Sequence, residues 1–119
     1  MRSDLEDYIK NSCDRVLSEQ KEFSLFTSAQ VYINDELPDN INIRYVLGKI
    51  EAIIPAHLAY GFDTVQVGMI DDFNRRNINA LYKGNVIYIT NNQDNDDDMI
   101  DDIVHEIAHA VEHVYKKQI

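Results

Sequence analysis

Residues 78–115, INALYKGNVIYITNNQDNDDDMIDDIVHEIAHAVEHVY, decide the fold class of this chain. The stretch opens with two β-rich runs, Ile78–Lys83 and Asn85–Thr90, separated by Gly84, which read as strands. NVIYIT is apolar enough to lie inside a sheet, whereas INALYK is more polar and reads as an edge strand. An Asn- and Asp-rich loop covers residues 91–98. From near Asp97 to about Lys117 the apolar residues recur at three- and four-residue spacing, the period of a helix with one buried face.

Working outward, TVQVGMI (Thr64–Ile70) reads as a buried strand, and DDFNRRN (71–77) as a loop. Further back, Ile43, Val46, Leu47, Ile50, Ile53 and Ile54 form the stripe of a second helix. Asp39 or Asn40 is placed to cap it, Pro55 to end or kink it, and Gly61 to close the region. Val31 and Ile33 alternate with Tyr32 in a short strand over Ala29–Asn34. Leu5, Tyr8, Ile9, Cys13, Val16 and Leu17 mark an amphipathic helix at 4–20, with Cys13 read as a core residue. The expected order is α-β-α-β-β-β-α. It describes an α/β (α+β) chain built on a mixed sheet. At 119 residues it is one domain's length, enough to bury about two-thirds of its unfolded surface.

Composition narrows the function classes. With 45% hydrophobic and 27% charged residues, four Gly and two Pro, the chain is neither disordered nor low in complexity. No apolar run approaches a membrane span, and MRSDLEDYIK lacks the apolar core of a signal peptide. One cysteine, Cys13, excludes an intramolecular disulfide and suits a reducing, cytoplasmic setting. The net charge of −10 argues against nucleic acid as a partner. That charge is local: six of the 21 acids fall within Asp94–Asp102.

Inside the last helix stands His105-Glu106-Ile107-Ala108-His109, the H-E-x-x-H pattern. A chance match in a chain of this length has odds of roughly three in a thousand. The spacing has a physical reason. Residues four apart are stacked on a helix about 5–6 Å apart at Cβ, so two imidazoles can reach one ion. Zinc takes such nitrogens at about 2.0–2.1 Å. Glu106 is the candidate catalytic base for a metal-activated water. At about 100° per residue from Ile103, the apolar residues Ile100, Ile103, Val104, Ile107, Val111 and Val114 occupy one side. His105, His109 and Glu112 lie opposite.

These segments carry a resemblance. VHEIAHAVEH is similar to the active-site helix of zincin (HExxH) metallopeptidases, the thermolysin-like gluzincin branch in particular. Asn79-Ala80-Leu81-Tyr82-Lys83-Gly84 and Asn85-Val86-Ile87-Tyr88 resemble the zincin edge strand and the strand leading to that helix. The resemblance implies Zn2+ held by His105 and His109, with peptide or protein as substrate. It also implies an edge strand that pairs with substrate backbone near Asn79, Ala80 and Tyr82. The fold implied is the upper catalytic subdomain, with the helix at 40–54 as its backing helix. On this view residues 1–28 are an N-terminal helix and connection, and 29–119 are the subdomain.

Gluzincins take a third ligand, a Glu, from a helix downstream, and only ten residues follow His109. The metzincin pattern is excluded because Glu112 and Tyr115 stand at its Gly and third His positions. Glu112 and His113 rise about 10–12 Å beyond His105, too far for one ion to collect easily. Three explanations fit the missing ligand: the third ligand and the lower subdomain lie beyond Ile119, which is the preferred expectation, a second copy or partner completes the site, or two His and water hold the metal weakly. The alternative function is a catalytically incomplete or inactive metal-binding or interaction module. Glu112 reads as a supporting or surface acid, His113 as solvated, and His57 as a partly buried structural histidine. Asp94, Asp96 and Asp98 alternate as in a calcium loop, but Met99 and His105 occupy its Gly and Glu positions. Asp96–Asp98 instead read as acids offsetting the helix dipole. Asp101 and Asp102 are placed to orient a ligand histidine or to raise local cation concentration. Arg75 and Arg76 show no pattern that compels a role.

Overall fold

In the computed structural model the described residues are 21–59, 61–69, 73 and 78–117. The expected helix at 4–20, Cys13, and Arg75 and Arg76 lie outside them.

A hairpin opens the described chain. β1 (Glu22–Leu25) runs antiparallel to β2 (Ala29–Ile33). Residues 22–25 are therefore strand, where the sequence reading had only a connection. The turn between them holds Phe26 and Thr27 at φ 56° and 59°. Neither residue favours that left-handed region, so FSLFTSA lacks the Asn-Gly or Asp-Gly mark that flags a tight hairpin. Tertiary contacts hold the turn instead. The Phe26 N–H donates to Glu51 Oε1 at 2.7 Å, and the Arg44 guanidinium sits 5.5 Å from the Phe23 ring centroid.

Helix α1 (Ile43–Ile53) follows, starting at Asn42. Asn42 is extended and its side chain accepts from the Tyr45 N–H, so the cap lies two to three residues after the expected Asp39 or Asn40. Asn40 instead donates its side-chain amide to the Asp94 carbonyl at 2.6 Å. Val46, Leu47 and Ile50 are buried, and the helix ends as Ile54 turns extended before Pro55. A short 3₁₀ turn, Ala56–Leu58, leads to β3 (Thr64–Val67), and then to β4 (Ala80–Lys83) and β5 (Val86–Ile89). Helix α2 (Asp96–Lys117) closes the order. Strands β2 to β5 are one to three residues shorter than their sequence runs. No described helix is long and apolar enough to cross a membrane.

The five strands form one mixed sheet in the order β1-β2-β3-β5-β4. β2, β3 and β5 are mutually parallel and central, and β4 is an edge paired antiparallel to β5. The expected edge and interior roles of INALYK and NVIYIT are both observed. Gly84 and Asn85, at φ 59° and 67°, make the two-residue turn between them, the primed geometry that matches strand twist.

Alternation sends one set of side chains to a single core. Leu25, Val31, Val65, Val67, Ile87 and Ile89 are fully buried there, together with Val46 and Ile50 of α1 and Met99 and Ile103 of α2. Burying a side chain of this size contributes about 1.5–3 kcal/mol, so the apolar stripes of both helices seat them on the sheet. Their N-termini are tied together as well: the Asn42 N–H donates to Asp96 Oδ1 at 2.9 Å. Asn95 accepts from the Asp98 N–H at 2.8 Å and so caps α2, leaving Asp96–Asp98 in its first turn, where acids offset the dipole.

Candidate metal centre

Burial on α2 departs from the sequence-derived wheel in one respect. Met99, Ile100, Ile103, Ile107 and Ala110 are buried, and so is Glu106, which is only 6% exposed. The buried arc is thus turned toward Glu106, away from Val104 and Val111, which are only partly covered. Asp102 lies one turn before Glu106, half-buried.

One turn of α2 brings together the three residues predicted for the metal chemistry. His105 Nε2 and His109 Nε2 lie 3.1 Å apart, with ring centroids at 4.6 Å and planes at 88°. Two nitrogens bound tetrahedrally at 2.0–2.1 Å sit about 3.3 Å apart, so the pair is close to the bite of one ion. Glu106 joins them: one ligand atom from each of His105, Glu106 and His109 lies within 4.8 Å of the others. Both imidazoles are solvent-exposed while the carboxylate between them is buried. No further His, Cys, Asp or Glu joins this group among the described residues.

Electrostatics follow from that burial. Loss of water pushes the Glu106 carboxyl above its ordinary range; His109 and His105 pull it back, and Asp102 adds to the rise. Asp102 is raised by burial too, against a hydrogen bond from Gln93 that favours its charged form. Gln93 is itself buried, and its amide donates to the Thr90 carbonyl at 3.0 Å and to Asp102 Oδ2 at 3.2 Å. It thereby fastens the end of β5 to the turn before His105. Asp101, by contrast, is exposed.

Beside this turn a cleft of about 400 Å³ opens between α2 and the sheet edge. Glu106, His109, Glu112, His113 and Lys116 form its helix wall. Ile78, Ala80, Leu81 and Tyr82 form the other. Two of the three predicted substrate-binding residues, Ala80 and Tyr82, therefore face the metal turn across the cleft. Asn79 is exposed and is not among the lining residues; its carbonyl accepts from the Thr90 N–H at 2.9 Å. Hydrogen-bonded and non-hydrogen-bonded pairs alternate along an antiparallel ladder. With Asn79 bonded to Thr90, the main-chain groups of Leu81 and Lys83 face β5, and those of Ala80 and Tyr82 face the open edge.

Gly61 fits this wall to the helix. At φ 87° it passes so close to α2 that a Cβ would stand 2.8 Å from the Ala110 carbonyl oxygen and 2.8 Å from Val114 Cγ2. Its own carbonyl accepts from the Tyr82 hydroxyl, whose phenol burial holds above its ordinary range. The Tyr82 ring in turn meets His113 edge-on at 5.9 Å. Glu112 is a surface acid bonded to Lys116 at 3.1 Å, which lowers its carboxyl below the ordinary value. His57 lies exposed in the 3₁₀ turn and not partly buried as its sequence context suggested. Gln93 went unassigned in the sequence, Gly61 was read only as closing the region after the second helix, and His113 only as solvated. His113 is exposed, as that reading expects, and its four-residue spacing from His109 is the local mark that placed it on the same wall. No family model, curated protein or solved structure matches this chain.

Proposed function

We propose that the chain is a zincin-type, zinc-dependent metallopeptidase domain that hydrolyses peptide bonds. The observation that carries this reading is the pair of imidazole nitrogens 3.1 Å apart with a buried carboxylate on the intervening turn. His105 and His109 would hold the ion, and their separation fits its tetrahedral bite. When bound, zinc supplies a Lewis acid that brings the pKa of water down towards about 7 and polarises a carbonyl. Glu106 is the base that takes the proton from the attacking water and passes it to the leaving amine. Burial strengthens its hold on a proton, which makes it a stronger base than an exposed carboxylate. A peptide substrate lies along the open edge of β4, its main chain paired with Ala80 and Tyr82 and its approach flanked by Asn79. The same reading puts the protein in the cytoplasm, where its lone cysteine stays reduced.

Metal content of the purified protein, measured with and without chelator, tests the site. Glu106→Gln keeps zinc and removes hydrolysis; proteolysis retained in that variant refutes the assigned base. A second reading is favoured by one observation: among the described residues the ligand group is confined to a single helical turn. On that reading the chain is a catalytically incomplete zincin-fold metal-binding or interaction module, with stoichiometric zinc and no cleavage.

A further inference from the structure

The cleft contains a donor that the chemistry above does not use. Glu106, His109, His113 and Lys116 follow one another along α2 at intervals of three and four residues and line the same wall. Glu106 and His109 belong to the metal turn, and Lys116 is engaged by Glu112 at 3.1 Å. The His113 ring nitrogens have no hydrogen-bond partner among the described residues, while its ring is held edge-on against Tyr82. The Tyr82 hydroxyl is anchored on the Gly61 carbonyl. The imidazole is therefore exposed to the cleft but positioned by packing.

A strand added to β4 presents half of its main-chain groups to Ala80 and Tyr82. The other half turn away from β4 into the cleft, whose helix wall carries His109 and His113. A carbonyl on that side exchanges water for whatever the helix wall offers, and without a donor it loses a hydrogen bond. We propose that His113 is a substrate-binding residue that donates a ring N–H to this outward main-chain carbonyl of an extended peptide; the proposal rests on the metallopeptidase reading. Four residues of helix separate it from His109, about 6 Å along the axis. That equals about two residues of extended chain, so the carbonyl it holds lies about two residues from the scissile bond. Recognition of this kind reads backbone, with little preference for side chains.

Binding tests this without requiring turnover. The zinc-loaded full chain is titrated with a pentapeptide hydroxamate and, separately, with acetohydroxamate, which has no peptide to extend. His113→Ala weakens the peptide hydroxamate about tenfold, with zinc affinity and acetohydroxamate binding unchanged. His113→Gln, which keeps an N–H donor, recovers most of the loss. Peptide binding unaltered in His113→Ala, a parallel loss of zinc in that variant, or no recovery in His113→Gln overturns the proposal. Wild-type chain that holds zinc through His105 but binds the peptide no better than acetohydroxamate overturns it too and leaves the metal site standing. Wild-type chain that takes up no zinc removes both.

Discussion

Helices α1 and α2 pack side by side on the same face of the sheet, and they differ in what they bury. Val46, Leu47 and Ile50 of α1 are all aliphatic. α2 buries an equivalent set, Ile103, Ile107 and Ala110, but inserts Glu106 among them at 6% exposure. A carboxylate in that arc loses hydration, and its raised pKa records the cost. Seating a helix needs only the apolar stripe, as α1 demonstrates. The buried acid is extra to the fold, and it stands where two imidazoles converge. The apolar stripe accounts for α1; in α2 it leaves the buried carboxylate without a packing reason.

The largest expected effect separates the two helices by chemistry. On the proposed metallopeptidase reading, Glu106→Gln lowers peptide hydrolysis by about 10²–10⁴-fold, whereas Glu51→Gln, the acid of α1 that receives the Phe26 N–H, leaves the rate unchanged. Steady-state assays on a fluorogenic peptide library read both variants, and equal losses would erase the contrast.

Next come the shared core contacts. Ile50→Ala in α1 and Ile103→Ala in α2 each remove a fully buried side chain, costing about 2–5 kcal/mol in denaturant titrations. On the proposed reading, zinc stoichiometry persists in Ile50→Ala under native conditions, because the candidate ligand group lies on α2 and not on α1. Loss of zinc from the folded variant would mean that the helices do not divide as described.

A smaller effect sits at the loop wedged against α2. Gly61→Ala adds a Cβ 2.8 Å from backbone at a positive φ, destabilising by about 1–3 kcal/mol. It also moves the Tyr82 anchor, so the ring signals of His113 shift in NMR spectra. A gain in stability would show that Gly61 is not confined as the coordinates indicate.

The smallest effect concerns the metal-free state. Because the folded pKa of Glu106 lies above its ordinary 4.5, its contribution to stability is complete below that value and is lost as pH rises through the folded pKa. Metal-free Glu106→Gln therefore melts above wild type near pH 7.5, and the gap narrows towards pH 4.5. Calorimetry in chelator checks the sign, and a less stable variant would show that the buried acid is held by compensating contacts.

Comparing the two hairpins shows how legibility depends on local chemistry. Gly84 announced the β4–β5 turn because glycine adopts positive φ readily; Asn85, read as the start of the next strand, joins it in the turn at φ 67°. Phe26-Thr27 concealed the β1–β2 turn because neither does, and the bond from Phe26 to Glu51, 25 residues away, is invisible to a local reading. A like difference divides the caps. Asn42 performs the capping expected of Asp39 or Asn40, and Asn95 caps α2 while Asp96–Asp98 stand in its first turn as the sequence reading expects, since capping depends on which residue turns extended at the helix start.

Periodicity and the H-E-x-x-H spacing by themselves determined the mixed α/β class, the edge role of β4 and interior role of β5, and the turn that carries His105, Glu106 and His109. Those properties follow from side-chain period and helical rise, which act over a few residues. Sheet order, the burial of Glu106, the passage of Gly61 against Ala110, and the meeting of Ala80 and Tyr82 with His113 were decided only in the tertiary structure. Each depends on segments distant in sequence competing for the same space, and no local pattern encodes the outcome of that competition.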